Sequence, residues 1–142
     1  MSINVATVEW NGGLTTGSGH IKGRTGAVDA AYSLKSRVEN TPQTNPEELI
    51  GAAHAACYSM MVSALLTGAG TPPGHIKTVA KVHLDKEGEG FKISTIEIET
   101  EAKVAGIDDA KFQEVAKNAK ENCPVSKALT GVNITLKATF LA

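Results

Sequence analysis

The chain has 142 residues, which predicts a single domain over residues 1–142 with a core large enough to fold without disulfides. Fourteen Lys and Arg stand against fifteen Asp and Glu, and this formal charge of -1 excludes a broad basic surface for nucleic acid or an anionic membrane. A hydrophobic share of 42% is typical of a soluble globular protein and excludes a disordered or fibrous chain.

The first forty residues predict short strands joined by tight turns. Apolar and polar residues alternate from Ile3 to Trp10, and glycines divide the runs that follow. The alternation from Tyr32 to Val38 predicts another strand, with Arg37 on its solvated face. No cationic and apolar leader is visible at the start of the chain, so we expect a cytoplasmic protein.

A helix is predicted from Asn45 to about Thr67. Asn45 is a good N-cap, and Pro46 with the following acids suits a first helical turn. The body of this helix is apolar or small on every side, which predicts a helix wrapped by protein. We reject a membrane span because polar residues interrupt the run and basic or aromatic flanks are lacking.

The remaining sequence predicts a hairpin, two helices and a last strand. Alternation from Ile76 to Val104 surrounds a turn at Gly88-Glu89-Gly90, with a change of parity that predicts a bulge near Ser94. Helices follow from Asp108, as N-cap, and from Asn122-Cys123-Pro124 to Gly131, before a strand over Val132–Phe140. The fold class is therefore α+β, with an antiparallel sheet, a central buried helix and further helices. One such sheet cannot cover that helix, which indicates a second subunit.

The two cysteines stand in different local settings. Cys57 is in the middle of the apolar helix, where burial raises a thiol pKa, whereas Cys123 begins a helix, a setting that favours a thiolate. The residues alone therefore favour Cys123 as the nucleophile, or else two buried cysteines that serve only in packing. A reducing cytosol makes a structural disulfide improbable but allows a transient one.

Motifs for other chemistries are weak in this sequence. His54 and Cys57 share a helix face at a spacing that could hold a metal, but no further ligand has a matching spacing, so we predict no metal site. Glycine-rich phosphate loops and a nucleophile elbow are both missing.

Two motifs together resemble those of a known family. The stretch TNPEELIGAAHAACYSM (Thr44–Met60), the stretch ENCPVSKAL (Glu121–Leu129) and the final alternating strand resemble the OsmC/Ohr family of thiol peroxidases that reduce organic hydroperoxides. The likeness extends over nearly the whole chain and is strongest to the OsmC branch.

The resemblance implies a role for particular residues. Cys57 matches the peroxidatic cysteine and Cys123 the resolving cysteine, and an Arg–Glu pair beside the reactive thiol matches Arg37 and Glu47. Arg24, in the variable glycine-rich stretch, is a rival for the arginine. Members of the family form intertwined homodimers around central helices.

The resemblance also implies a reaction cycle. An organic hydroperoxide oxidises the first cysteine to a sulfenic acid, the second condenses with it to a disulfide, and an external dithiol, typically lipoyl-type, restores both thiols. This cycle needs no metal or prosthetic group. A thiol redox sensor and a non-enzymatic protein that binds small hydrophobic molecules remain as alternatives.

Two geometric questions follow from these expectations. Ten helical residues separate Glu47 from Cys57, a rise of about 15 Å, so either the helix breaks near Gly51 or Glu47 acts across a dimer. An apolar pocket for the alkyl group would use residues near the two cysteines. The candidate walls are Tyr58, Met60, Met61, Leu65, Leu66, Val125 and Leu129.

Overall fold

A computed structural model of the protein describes residues 1–142 and divides them into two compact units, Met1–Leu49 and Ile50–Ala142. Each unit contains one three-stranded sheet, and four helices complete the chain. The predicted α+β class is confirmed.

The first unit contains an antiparallel sheet followed by a short helix. Its strands are β1 (Ala6–Asn11), β2 (Ser18–Gly23) and β3 (Asp29–Tyr32), paired in that order. The predicted strand over Tyr32–Val38 is wrong beyond Tyr32, because residues Leu34–Val38 form helix α1. Ser33 caps this helix reciprocally with Ser36, and this pairing of cap side chains and backbone amides favours a helical turn over an extended chain.

The long predicted helix is present as α2 (Pro46–Gly68). The Asn45 side chain accepts a hydrogen bond from the backbone N–H of Glu48 at 2.8 Å, which confirms the predicted N-cap. The helix continues without a break through Gly51.

The second unit contains a mixed sheet. Strands β4 (His75–Glu87) and β5 (Gly90–Lys103) form the predicted hairpin, whose register shifts beside Ser94 as expected. The last strand, β6 (Asn133–Leu141), pairs with β5 in parallel, so the expectation of a wholly antiparallel sheet is wrong for this pair. A parallel neighbour needs a long crossover connection, and α3 (Asp109–Asn122) and α4 (Pro124–Ala128) provide it.

The main core lies between α2, the second sheet and α3. Buried side chains on α2 recur every three or four residues, and they meet the predicted apolar face of α3. These core positions are His54, Tyr58, Val62 and Leu66 on α2, with Phe112, Val115, Ala116 and Ala119 on α3. At Gly51, an added Cβ would lie 3.3 Å from a methyl group of Val82, so glycine allows α2 to approach β4 closely.

The opposite face of α2 is not covered within the chain. Small and apolar side chains on it are exposed, and Met60 is 74% exposed. The exposed positions are Ala52, Ala53, Ala56, Met60 and Ala64. The composition of this helix predicts protein on every side of it, and one chain alone does not provide that cover. By length and hydropathy alone, α2 is also apolar enough to cross a membrane.

Candidate active site

The two cysteines lie together although 66 positions separate them in sequence. Cys57 is on α2, and Cys123 stands at the junction where α3 ends and α4 begins. The two sulfur atoms lie 2.8 Å apart, within hydrogen-bonding distance, and both cysteines are reduced. Cys123 is fully buried whereas Cys57 is partly exposed, so the sulfur that a reagent from solution can reach is that of Cys57.

The surroundings of Cys57 act on its ionisation in opposite directions. Burial raises the pKa of the Cys57 thiol, as its apolar helix predicts, and the hydrogen bond with Cys123 raises it further. The backbone N–H of Val125, in the first turn of α4, contacts the same sulfur and lowers this pKa. The sequence predicts that the start of this helix favours a thiolate on Cys123. In the structure, an amide of its first turn favours a thiolate on Cys57.

Arg37 and Glu47 form a two-pronged ion pair in the first unit. Arg37 Nη2 donates to Glu47 Oε1 at 2.7 Å, and Nε donates to both carboxylate oxygens at 3.0 and 3.2 Å. The Glu47 side chain is 9% exposed and that of Arg37 41%. Nη1 of Arg37 makes no hydrogen bond within the chain, so the guanidinium keeps donors for a ligand. Arg24, the rival, is exposed between β2 and β3 and does not contact Glu47.

Short polar contacts hold the ion pair in place. The Ser36 hydroxyl donates to the carbonyl of Thr44 at 2.7 Å, and the Asn45 amide donates to the carbonyl of Ser36 at 3.0 Å. These bonds fix α1 against the start of α2. Arg37, in the last turn of α1, therefore meets Glu47, in the first turn of α2.

The candidate pocket walls differ in burial. Tyr58 and Leu66 are fully buried in the core, and the Tyr58 hydroxyl donates to the carbonyl of Ala116 at 3.2 Å. Met60 lies on the exposed face of α2. Met61, Leu65 and Leu129 are partly buried against the core, and Val125 is half-buried. Tyr58 and Leu66 therefore serve the core and have no surface for a ligand.

A buried hydrogen-bonded pair lies beside the cysteines and was not predicted from the sequence. His54 Nε2 and Ser126 Oγ lie 2.7 Å apart, and both residues are buried. Burial lowers the pKa of His54, so the imidazole is neutral near pH 7. His54 belongs to no cluster of three or more potential metal ligands. The repeated spacing of three residues, from His54 to Cys57 and from Cys123 to Ser126, was the available signal.

Comparisons with known proteins identify the family of this chain. The model of the family described as OsmC-like protein matches residues 39–137. The peroxiredoxin OsmC of Escherichia coli (strain K12) is 44% identical over 121 residues, covering 84% of this chain and 85% of that protein. The organic hydroperoxide resistance protein OhrA of Bacillus subtilis (strain 168) is 31% identical over 132 residues, covering 82% and 89%.

Solved structures show the same fold. The organic hydroperoxide resistance protein OhrB of Bacillus subtilis matches with a TM-score of 0.71 at 27% identity, over 95% of this chain and 98% of that chain. An organic hydroperoxide resistance protein OsmC from Legionella pneumophila matches with a TM-score of 0.74 over 98% and 99%. At 21% identity, the second likeness concerns the fold alone.

Proposed function

Because this chain belongs to the OsmC-like family, we propose that it is a cysteine-based peroxidase that reduces organic hydroperoxides to alcohols. The observation that carries the proposal is the contact between a partly exposed Cys57 and a buried Cys123. A two-cysteine cycle requires one sulfur that peroxide can reach and a second thiol close enough to form a disulfide with it.

Cys57 is the peroxidatic residue. Its thiolate attacks one oxygen of the hydroperoxide, the O–O bond breaks, and the alcoholate leaves and takes a proton to become the alcohol. The sulfur is oxidised by two electrons to a sulfenic acid while the peroxide is reduced. The amide of Val125 stabilises the attacking thiolate against the effect of burial.

Arg37 and Glu47 act on the peroxide and the leaving group. Complete ionisation of an ordinary thiol at pH 7 gains only about thirty-fold, which is too little for a peroxidase. The free donors of the Arg37 guanidinium bind the peroxide oxygens, align the O–O bond with sulfur and stabilise the developing alcoholate. Glu47 holds the guanidinium in orientation through its two-pronged pair.

Cys123 is the resolving residue. Its sulfur attacks that of the Cys57 sulfenic acid, a disulfide forms, and the departing hydroxide leaves as water with the thiol proton. A reductant then restores both thiols, and an external lipoyl-type dithiol has the required chemistry. Peroxiredoxin-type relatives need no prosthetic group for this cycle.

The working form is a cytoplasmic homodimer of single-domain chains. The exposed apolar face of α2 needs a cover, and a second α2 supplies one without placing the helix in a membrane. Since α2 has no break at Gly51, ten helical residues keep Glu47 about 15 Å along the axis from Cys57 of its own chain. The Arg37–Glu47 pair therefore serves the Cys57 thiol of the partner.

Steady-state consumption of cumene hydroperoxide with a lipoyl dithiol tests the function. We expect turnover by the wild-type protein, none by Cys57→Ser and, when the dithiol is left out, a single stoichiometric round by Cys123→Ser that ends on a trappable sulfenic acid. Stoichiometric oxidation without turnover in the wild type identifies a thiol sensor, and binding without oxidation identifies a hydrophobic-molecule carrier. Fast sulfenic acid formation in Cys57→Ser contradicts the assignment of Cys57.

The substrate preference has its own test. Burial of four or five carbons contributes about 3 kcal/mol, or about two orders of magnitude in kcat/KM, if the contact persists in the transition state. We therefore expect cumene and tert-butyl hydroperoxides to exceed hydrogen peroxide by about this factor under one dithiol system. Equal values for the three peroxides contradict an alkyl-binding pocket.

A further inference from the structure

The His54–Ser126 contact joins the same two elements as the cysteine contact. His54 precedes Cys57 by three residues on α2, and Ser126 follows Cys123 by three residues in α4. Three residues correspond to nearly one helical turn, so the two contacts lie side by side between α2 and the start of α4. Like the contacts of the Cys57 sulfur with Cys123 and with the Val125 amide, this side-chain hydrogen bond links α2 to α4 and its N-cap.

The position of α4 depends on such contacts. Its five residues are too few to form a stable helix alone, so packing and hydrogen bonds must hold it. His54 is fully buried, and its Nδ1 atom has no hydrogen-bond partner, which leaves Ser126 as its only polar contact. A buried polar side chain with a single hydrogen-bond partner fixes the position of that partner, because no water is available to replace the bond.

Other roles of His54 are poorly supported. The imidazole contacts Ser126 and neither sulfur, so it does not accept a proton from either thiol directly. It also belongs to no cluster of three potential metal ligands. The role that remains for His54 is to fix the position of Ser126 and, with it, of α4.

We propose that His54 and Ser126 are a positioning pair that holds Cys123 in line with the sulfenic acid of Cys57 and so accelerates disulfide formation. The inference rests on the proposed peroxidase cycle and concerns its second step alone. Condensation joins the two sulfurs, breaks the S–O bond of the sulfenic acid and releases one water, so it needs no further oxidant. An error of about 1 Å in the approach of the attacking atom costs up to about a hundredfold in rate.

Single-turnover kinetics separate the two steps. In Ser126→Ala and His54→Met, we expect disulfide formation slowed about 10- to 100-fold, and sulfenic acid formation, which depends on α4 only through the Val125 amide, slowed much less. A longer-lived sulfenic acid then reacts with a second peroxide, so the sulfinic form of Cys57 accumulates at high peroxide. His54→Gln places an amide near the position of Nε2 and should recover much of the rate.

A matched variant controls for the loss of a buried hydroxyl. Ser59 lies on α2 and donates to Thr78 Oγ1 at 2.7 Å, away from α4. We expect Ser59→Ala to retain the wild-type rate of disulfide formation. Wild-type disulfide rates in Ser126→Ala and His54→Met, or an equal slowing in Ser59→Ala, overturn the inference.

A separate measurement distinguishes this inference from the proposed function. Equilibration with glutathione redox buffers forms the Cys57–Cys123 disulfide without peroxide and reports the effective concentration of one thiol at the other. Ser126→Ala should lower that effective concentration about tenfold or more relative to Ser59→Ala. Failure of the wild type to consume peroxide refutes the peroxidase function, whereas an unchanged equilibrium in Ser126→Ala refutes the positioning pair.

Discussion

At the residue scale, the surroundings of each cysteine are set by other elements of the fold as well as by its own helix. The local sequence correctly indicates that burial raises the pKa of Cys57. It does not indicate that the first amide of α4 contacts Cys57, because that contact arises from the crossover between β5 and β6. The role of Cys57 came from the family motif, and its exposure relative to Cys123 agrees with that role.

The arginine assignment gives the first prediction. Arg37→Gln removes the guanidinium donors, and we expect kcat/KM for cumene hydroperoxide to fall about a hundredfold. Arg24→Gln is the matched control and should remain within about twofold, as an exposed substitution does. Steady-state kinetics on both variants decide between the two arginines, and a larger loss in Arg24→Gln contradicts the role of Arg37.

Burial of His54 gives a prediction on pH and stability. Its folded pKa lies below the unfolded value near 6.5, so the unfolded chain binds more protons in the interval between them. The stability that His54 contributes is present above pH 6.5 and is lost as pH falls through this interval, with a slope of up to about 1.4 kcal/mol per unit.

Urea unfolding between pH 7.5 and 5 measures this effect. The free energy of unfolding of the wild type should decrease toward low pH more steeply than that of His54→Gln, which has no titrating ring. Parallel pH profiles for the two proteins contradict a depressed pKa at His54.

At the element scale, the sequence predicts what periodicity and caps encode. The α2 and α3 helices, their caps at Asn45 and Asp108, and the β4–β5 hairpin with its bulge are all confirmed. Helix α1 was missed because its alternation is compatible with a strand, and a serine capping box decides the conformation. The parallel pairing of β6 was missed because strand direction depends on a crossover that no local pattern records.

The close approach of α2 to β4 gives the third prediction. Gly51 is buried, and an added Cβ would lie 3.4 Å from the carbonyl oxygen of Ala80, so Gly51→Leu overpacks the contact. We expect a loss of about 1–3 kcal/mol in the free energy of unfolding. Gly68→Leu, in the same helix with nothing near its Cβ, should be neutral or stabilising by up to about 1 kcal/mol.

Denaturant unfolding of the two leucine variants provides the measurement. Equal stabilities would mean that Gly51 is not needed for packing and would reopen its interpretation as a helix break.

At the scale of the whole molecule, the proposal of a homodimer rests on the uncovered face of α2. The buried face of α2 joins a complete core, whereas the Ala and Met residues opposite it remain exposed. The all-round apolar character of this helix predicts a second subunit; this stays a prediction, which the exposed apolar face of the single chain supports.

Complementation between inactive subunits gives the fourth prediction. In a heterodimer of Cys57→Ser and Glu47→Ala chains, the first chain supplies Glu47 to the intact Cys57 of the second. Random mixing of equal amounts should restore about a quarter of the wild-type activity, since half of the dimers then carry one complete site.

Tandem affinity purification of doubly tagged heterodimers isolates the relevant species, and Cys57→Ser homodimers serve as the inactive control. Purified heterodimers that are no more active than either parent contradict a site shared between subunits.

The parallel strand order also determines when the redox site is completed during protein synthesis. Cys57 leaves the ribosome long before residues 104–132, the crossover that carries Cys123, and β6 docks only after that crossover has emerged. Contacts between distant segments form later than local hairpins. A nascent chain therefore carries Cys57 before it carries the Val125 amide and the Cys123 sulfur that contact it in the folded protein. The sulfur of Cys57 consequently acquires the surroundings that distinguish it from an ordinary thiol only after the crossover has folded onto α2.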